Sequence, residues 1–340
     1  TGAYNTAVGC RALDANTTGA CNIAIGGNSL GANTTGACNT AVGHQALKSN
    51  TDAVNNVAIG FESFCTNTTG NNNVAIGKSA LCSNTNASNN TAVGFESLKA
   101  NTTAENNTAV GRSALTTNTT GTDNVAVGCG SLTANTTAIR NTAVGKGSLT
   151  SNTTGANHVA VGAFSLGSNT TGNCNTVVGV SALYTNTTGS DNTGLGKSVL
   201  YDNTTGANNV AVGKDSLVNN TTASNNTAVG RDSLKLNTTG SFNTAIGLSA
   251  LSATTEGENN AAIGFQAGCK ITTGGENTAL GRKALENLTT GSNNIGIGDT
   301  SGGDGVRNIT TESNNIVIGN NQSATAHIKI DWTVTSDLRD

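Results

Sequence analysis

Three histidines, His44, His158 and His327, are the side chains best suited to proton transfer near neutral pH, and they lie far apart along the chain. They fall at different places in an internal repeat, so no two of them share one reacting bond. Eight cysteines stand at 10, 21, 38, 65, 82, 129, 174 and 269, with no close CxxC-type pair of the kind metal ligation uses. Asp215 and Asp232 recur one repeat apart beside Lys214 and Arg231, which reads as solvated charge pairing. Gly296-Ile297-Gly298 belongs to the repeat, and no phosphate-binding loop follows it. These residues predict no enzyme active site, no metal and no cofactor. One place in the repeat is different. The residue after the recurring glycine varies among Phe61, Phe95, Arg112, Lys146, Lys214, Arg231 and Phe265, with Lys78, Lys197, Leu248 and Arg282 among the rest. Variability beside a rigid frame predicts an exposed column able to carry recognition.

That frame is a pentapeptide, Asn-x-Ala-Val-Gly, returning every 17 residues from Asn5–Gly9 to Asn294–Gly298, with one more copy at Asn315–Gly319 after a four-residue insertion. So short and strict a period predicts a stack of near-identical coils, each packing on the next. The full consensus continues through Ser/Ala-Leu to Asn-Thr-Thr-Gly. The residue before the glycine is aliphatic (Val8, Ile25, Val42, Ile59), and two places earlier it is usually β-branched (Thr6, Ile23, Thr40, Val57). Between them stands Ala, replaced only by Val177, Gly194, Gly296 and Val317. Side chains alternate across a strand, so both faces are restricted, and burial of both is predicted. Leu13, Leu30 and Leu47 predict a second short strand, and Asn-Thr-Thr-Gly a turn whose glycine takes positive φ. No 3.6-residue apolar period argues for helices.

The opening asparagines Asn5, Asn22, Asn39 and Asn56 predict a corner ladder of stacked amides, with Gly9, Gly26, Gly43 and Gly60 marking the strand ends. The Thr-Thr pairs read the same way. Cys21/Cys38 and Cys65/Cys82 are expected one above the other in adjacent coils, where side-chain direction makes disulfide geometry marginal.

Charged residues make up 11% of the chain, with a net charge of −3, which excludes the basic stripe of a nucleic-acid binder. No apolar run is long enough to insert in a membrane, and no signal peptide is found. The chain starts at Thr1 and has no Met, which reads as a processed product or a cut-out segment. Three sizeable apolar side chains per coil barely offset the entropy of ordering 17 residues. A second apolar face shared between chains supplies the difference, so a homotrimer is expected, with a rod on the order of 85 Å long at ~4.8 Å per coil.

The Asn-x-Ala-Val/Ile-Gly repeat resembles the heads of trimeric autotransporter adhesins, with their Asn-Ser-Val-Ala-Ile-Gly signature. That resemblance covers residues 1 to about 319. It implies a left-handed parallel β-roll with three chains side by side, although the period here is longer. The closing Thr-Val-Thr-Ser336-Asp337-Leu-Arg-Asp resembles the junction of phage tail spikes and fibres with their endosialidase-type intramolecular chaperone. There Ser336 would be the self-cleavage nucleophile in its Ser-Asp motif with Asp337. The family's downstream lysine has no counterpart, because Asp340 is the last residue.

The expectation is an all-β, parallel β-solenoid: a shaft over 1–298, an irregular last coil and cap over 299–331, and a truncated chaperone junction over 332–340. Its function would be that of a viral, most plainly phage, tail-fibre or spike shaft at the virion surface. Its partners would be two further copies, other virion tail proteins, and a host surface glycan or protein receptor. The alternatives are a bacterial trimeric adhesin at the cell surface, a self-assembling extracellular filament, or an ice-binding protein using the Thr columns. Asn-x-Thr patterns such as Asn16-Thr17-Thr18 arise from the turn consensus and indicate glycosylation only weakly.

Overall fold

The computed structural model describes residues 2–304 and 307–323. Its described residues hold nineteen strands of three residues each, from Thr6–Val8 to Ile316–Ile318, and no helix. Each strand pairs in parallel with the next in the chain, with Thr6 opposite Ile23, Ala7 opposite Ala24 and Val8 opposite Ile25. The same register repeats coil after coil, making one continuous parallel β-solenoid.

The strand is short because its boundaries are built in. A β-branched residue on either side of Ala favours extended backbone, and the following glycine then turns the chain at φ between 113° and 150° in every coil up to Gly298. At Gly111, with φ 137°, a Cβ would stand 2.5 Å from the carbonyl oxygen of Gly128 directly above. Only glycine satisfies both the dihedral and the close stacking of corners.

Two expectations are corrected here. The leucine segment is no second strand: it is a turn in which alternate residues take the left-handed conformation, as at Arg11 (55°) and Leu13 (55°), or Asn28 (59°) and Leu30 (48°). Its amides still pair between coils, Leu30 N–H to Ala46 O at 3.0 Å and Asn28 N–H back to Cys10 O at 2.8 Å. A laddered turn replaces a strand because Leu has to point inward, where Leu30, Leu47 and Leu81 are fully buried. The Asn-Thr-Thr-Gly glycine, in turn, is not at positive φ. Its place is buried and tight instead, so up to Gly291 it holds nothing larger than Ala, as at Ala53, Ala87 and Ala104, and only the exposed last turn admits Glu312.

The core is a column of inner alanines and leucines with two columns of buried asparagine. Strand burial is one-sided, which corrects the expectation of two buried faces. Between the end coils the inner residue is covered, as at Ala24 and Ala58, while Ile23, Ile25, Ile59 and Val110 stand outward and exposed. The four inserted residues leave the frame intact. A Gly303–Asn308 bridge marks the bulge, Ile309 returns to the core, and Ile316 pairs with Ile295.

Candidate functional site

The corner after the motif glycine is where side chains leave the rod, since the positive-φ glycine has just ended the strand. Phe61, Phe95, Arg112, Lys146, Lys214, Arg231 and Phe265 are all exposed there, in one column along the solenoid. The coil spacing stacks them into contact. The rings of His44 and Phe61 lie 5.5 Å apart and within 11° of parallel. Lys78 sits between the next two rings, its Nζ 5.9 Å from the centroids of both Phe61 and Phe95. Such cation–π contacts at exposed sites contribute about 0.5–1 kcal/mol each. Lys146 joins a different ring, 5.6 Å from Phe164 one place further along its coil.

Farther along, the column turns cationic. Lys214 pairs with Asp215 at 3.3 Å, Arg231 with Asp232 at 3.0 Å, and Lys235 with the same carboxylate at 3.0 Å. Burial opposes ionisation of Asp232, yet Lys235 and Arg231 outweigh it and hold the carboxyl below its ordinary value. The paired charges expected from the sequence are therefore present and mutually satisfied. Phe61 and Phe265 are twelve coils apart, so the column is a line that mixes aromatic and charged residues along its length rather than one pocket.

The asparagine ladders are structural, and the stacked amides bond to backbone as well as to one another. Asn5 Oδ1 accepts the backbone N–H of Asn22 at 2.8 Å, while Asn5 Nδ2 donates to Gly19 O at 2.8 Å. The same pattern holds for Asn22 and Asn39, and Asn56 donates to Gly70 O at 2.9 Å. Amide-to-amide bonds also climb this column, as from Asn39 to Asn22 and from Asn73 to Asn56, both at 3.2 Å. A second amide ladder runs through the turn asparagines, for example Asn33 to Asn16 at 3.0 Å and Asn50 to Asn33 at 2.8 Å. It ends at Asn237, whose Oδ1 is buried without a partner because Thr254, Ile271 and Leu288 continue the column. Thr17 and Thr34 hydroxyls donate to carbonyls of the next coil, which ties the first threonine of each pair to the frame.

His158 replaces an opening asparagine and does the same work. Its Nδ1 accepts the Asn175 N–H at 3.1 Å, which assigns the proton to Nε2 for donation to Gly172 O at 2.7 Å. Burial pushes its pKa down to about 4. His44 and His158 are not brought together. His327, Ser336 and Asp337 lie outside the described residues, as does the whole 332–340 junction. Among the described residues no group of three or more His, Cys, Asp or Glu could hold a metal, and no helix is long and apolar enough to cross a membrane. Sequence reasoning missed the stacked Tyr184 and Tyr201 rings, 5.4 Å apart, although their separation of one repeat was the available signal.

No protein-family model matches the chain, and no curated protein is similar to it in sequence.

Proposed function

We propose that this chain is the shaft of a homotrimeric fibre, viral in origin, that projects from a particle and meets a host surface along its corner column. One observation carries this reading: the outward face of the sheet holds an unbroken aliphatic column before the motif glycines, beside a second column that mixes Val and Ile with Thr. Ile25, Ile59, Val110, Val178, Leu195, Ile246, Ile263 and Ile297 share one column, and Ile23, Val159 and Val210 the other, all exposed. At ~4.8 Å per coil and about 7 Å between columns, this face covers on the order of 600 Å² before side-chain width is counted, its threonines included. That is close to the about 800 Å² that one partner brings to a standard interface. Three such faces converging on a threefold axis seal one another, whereas a lone rod leaves them wet.

Viral origin rests on the resemblance of residues 333–340 to the chaperone junction of phage fibres. The shaft's action is mechanical, with stiffness from continuous ladders and avidity from three identical corner columns. Light scattering on the purified chain should give three times the 33.7 kDa chain mass. A folded single chain at micromolar concentration would overturn the reading. The coding sequence beyond Asp340 tests the origin separately: a lysine-bearing chaperone domain supports a virus, and a coiled coil with a membrane anchor points to a bacterial adhesin.

A further inference from the structure

Among the eight cysteines, two stand apart by geometry. Cys65 and Cys82 occupy the same place in consecutive coils, after strands Val57–Ile59 and Val74–Ile76, and both are half-buried. Their Sγ atoms are 2.7 Å apart. A disulfide bond is about 2.05 Å long, while even carbon atoms, smaller than sulfur, rest about 3.5–4.0 Å apart without a bond. Both side chains are therefore already turned toward one another, which removes the marginal direction expected of stacked cysteines. Cys21 and Cys38 are also one coil apart, yet their side chains are exposed and no contact joins their sulfurs. Cys269 shares the place of Cys65 and Cys82 but has Ser252 and Glu286 as its counterparts in adjacent coils.

We propose that Cys65 and Cys82 form an intrachain disulfide that staples two consecutive coils of the solenoid. The oxidant is a small disulfide such as oxidised glutathione. The Cys82 thiolate attacks one sulfur of that disulfide, forming a mixed disulfide and releasing one glutathione thiolate. Cys65, losing its proton to solvent, then attacks the Cys82 sulfur and expels the second glutathione. Two protein thiols are oxidised and one external disulfide is reduced to two thiols. The order of attack follows from the environment. Hydrogen bonding from Cys65 lowers the Cys82 thiol to about 7 against the opposing effect of burial, and that same contact, with burial, raises Cys65. A thiolate near neutral pKa is the better first nucleophile.

The full chain, folded at neutral pH, is treated with oxidised glutathione, alkylated in denaturant and digested with trypsin. Cleavage after Lys48, Lys78 and Lys99 places Cys65 in residues 49–78 and Cys82 in residues 79–99, each as the only cysteine of its peptide. The expected product is these two peptides linked, in protein of single-chain mass on a denaturing, non-reducing gel, and separated by reductant. The linked pair should accumulate at least about tenfold faster than an internal Cys21–Cys38 bond in residues 12–48, reflecting sulfurs already in contact. In C65S, Cys82 should be trapped as the mixed disulfide with glutathione. Recovery of both peptides separately alkylated, linkage found only between two chains, or equal rates for the two cysteine pairs would each overturn the proposal. C65S/C82S, checked by circular dichroism, separates a failure to fold from a failure to oxidise.

Discussion

A single ring can stand in for an amide in a ladder, but it brings a proton-binding group with it. His158 meets the same two partners as its asparagine counterparts, and its burial disfavours the charged form, lowering the pKa to about 4. In the unfolded chain it titrates near 6.5. A histidine depressed on folding binds protons better when unfolded, so its contribution is intact above about pH 6.5 and erodes as pH falls toward about 4. The gap amounts to on the order of 3 kcal/mol. H158N should restore the asparagine pattern without this liability. Urea unfolding of both proteins should agree within about 1 kcal/mol at pH 7.5 and diverge by roughly 3 kcal/mol, in favour of H158N, at pH 4. Parallel loss of stability in the two proteins would show that other groups dominate acid sensitivity. The corner column teaches a complementary lesson. Its exposure was readable from residue variability, but the seating of Lys78 between two rings depends on coil spacing and rotamers that a consensus does not carry.

At the scale of one coil, departures from the consensus compensate one another by volume. Where the inner alanine becomes Gly194, the usual Ser/Ala before the leucine becomes Val199, and a Cβ on Gly194 would stand 2.9 Å from Val199 Cγ2. Where the core leucine becomes Gly268, the turn asparagine becomes Ile271, whose Cδ1 would be 2.9 Å from the added Cβ. Gly302 and Ile309 repeat that exchange in the last coil. G194A should therefore overpack and cost roughly 1–3 kcal/mol, although alanine is the consensus. In a V199A background the same change should cost about 0.5 kcal/mol or less, giving a coupling that a double-mutant cycle reads directly. Additive effects would mean that the cavity is not shared. These pairs also show what the sequence could convey. The period, the strand and its boundary glycine were legible because each rests on a residue type with one strong preference. The turn at Leu13 and Leu30 was not, because left-handed φ at leucine contradicts local propensity and is imposed by inward burial and by hydrogen bonds to the next coil. The outward direction of the β-branched pair was open for a similar reason. Alternation places Ala and Val on opposite faces without saying which face is inside.

For the whole molecule, the decisive question is what covers that outward pair. Within one chain Ile59 and Val110 are 38% and 36% exposed, the rest of each side chain lying against adjacent coils, so glutamate at both should cost the isolated solenoid about 1–2 kcal/mol while leaving it folded. In a trimer the same two substitutions set three carboxylates around the axis at two levels, out of water and facing like charges. Each buried unpaired charge costs several kcal/mol, more than a face of this width supplies per coil. I59E/V110E should thus shift sedimentation equilibrium from trimer toward single chains, with the strand signal in circular dichroism retained, and acidification that protonates the glutamates should return some of the trimer. Substituting Lys214 and Arg231 on the corner column is the control, because those side chains lie at the rod's corner and should leave the mass unchanged. A trimer indifferent to I59E/V110E would place the interface on another side of the solenoid. Unfolding of the variant at the level of the single chain would mean that the outer columns support the coil themselves.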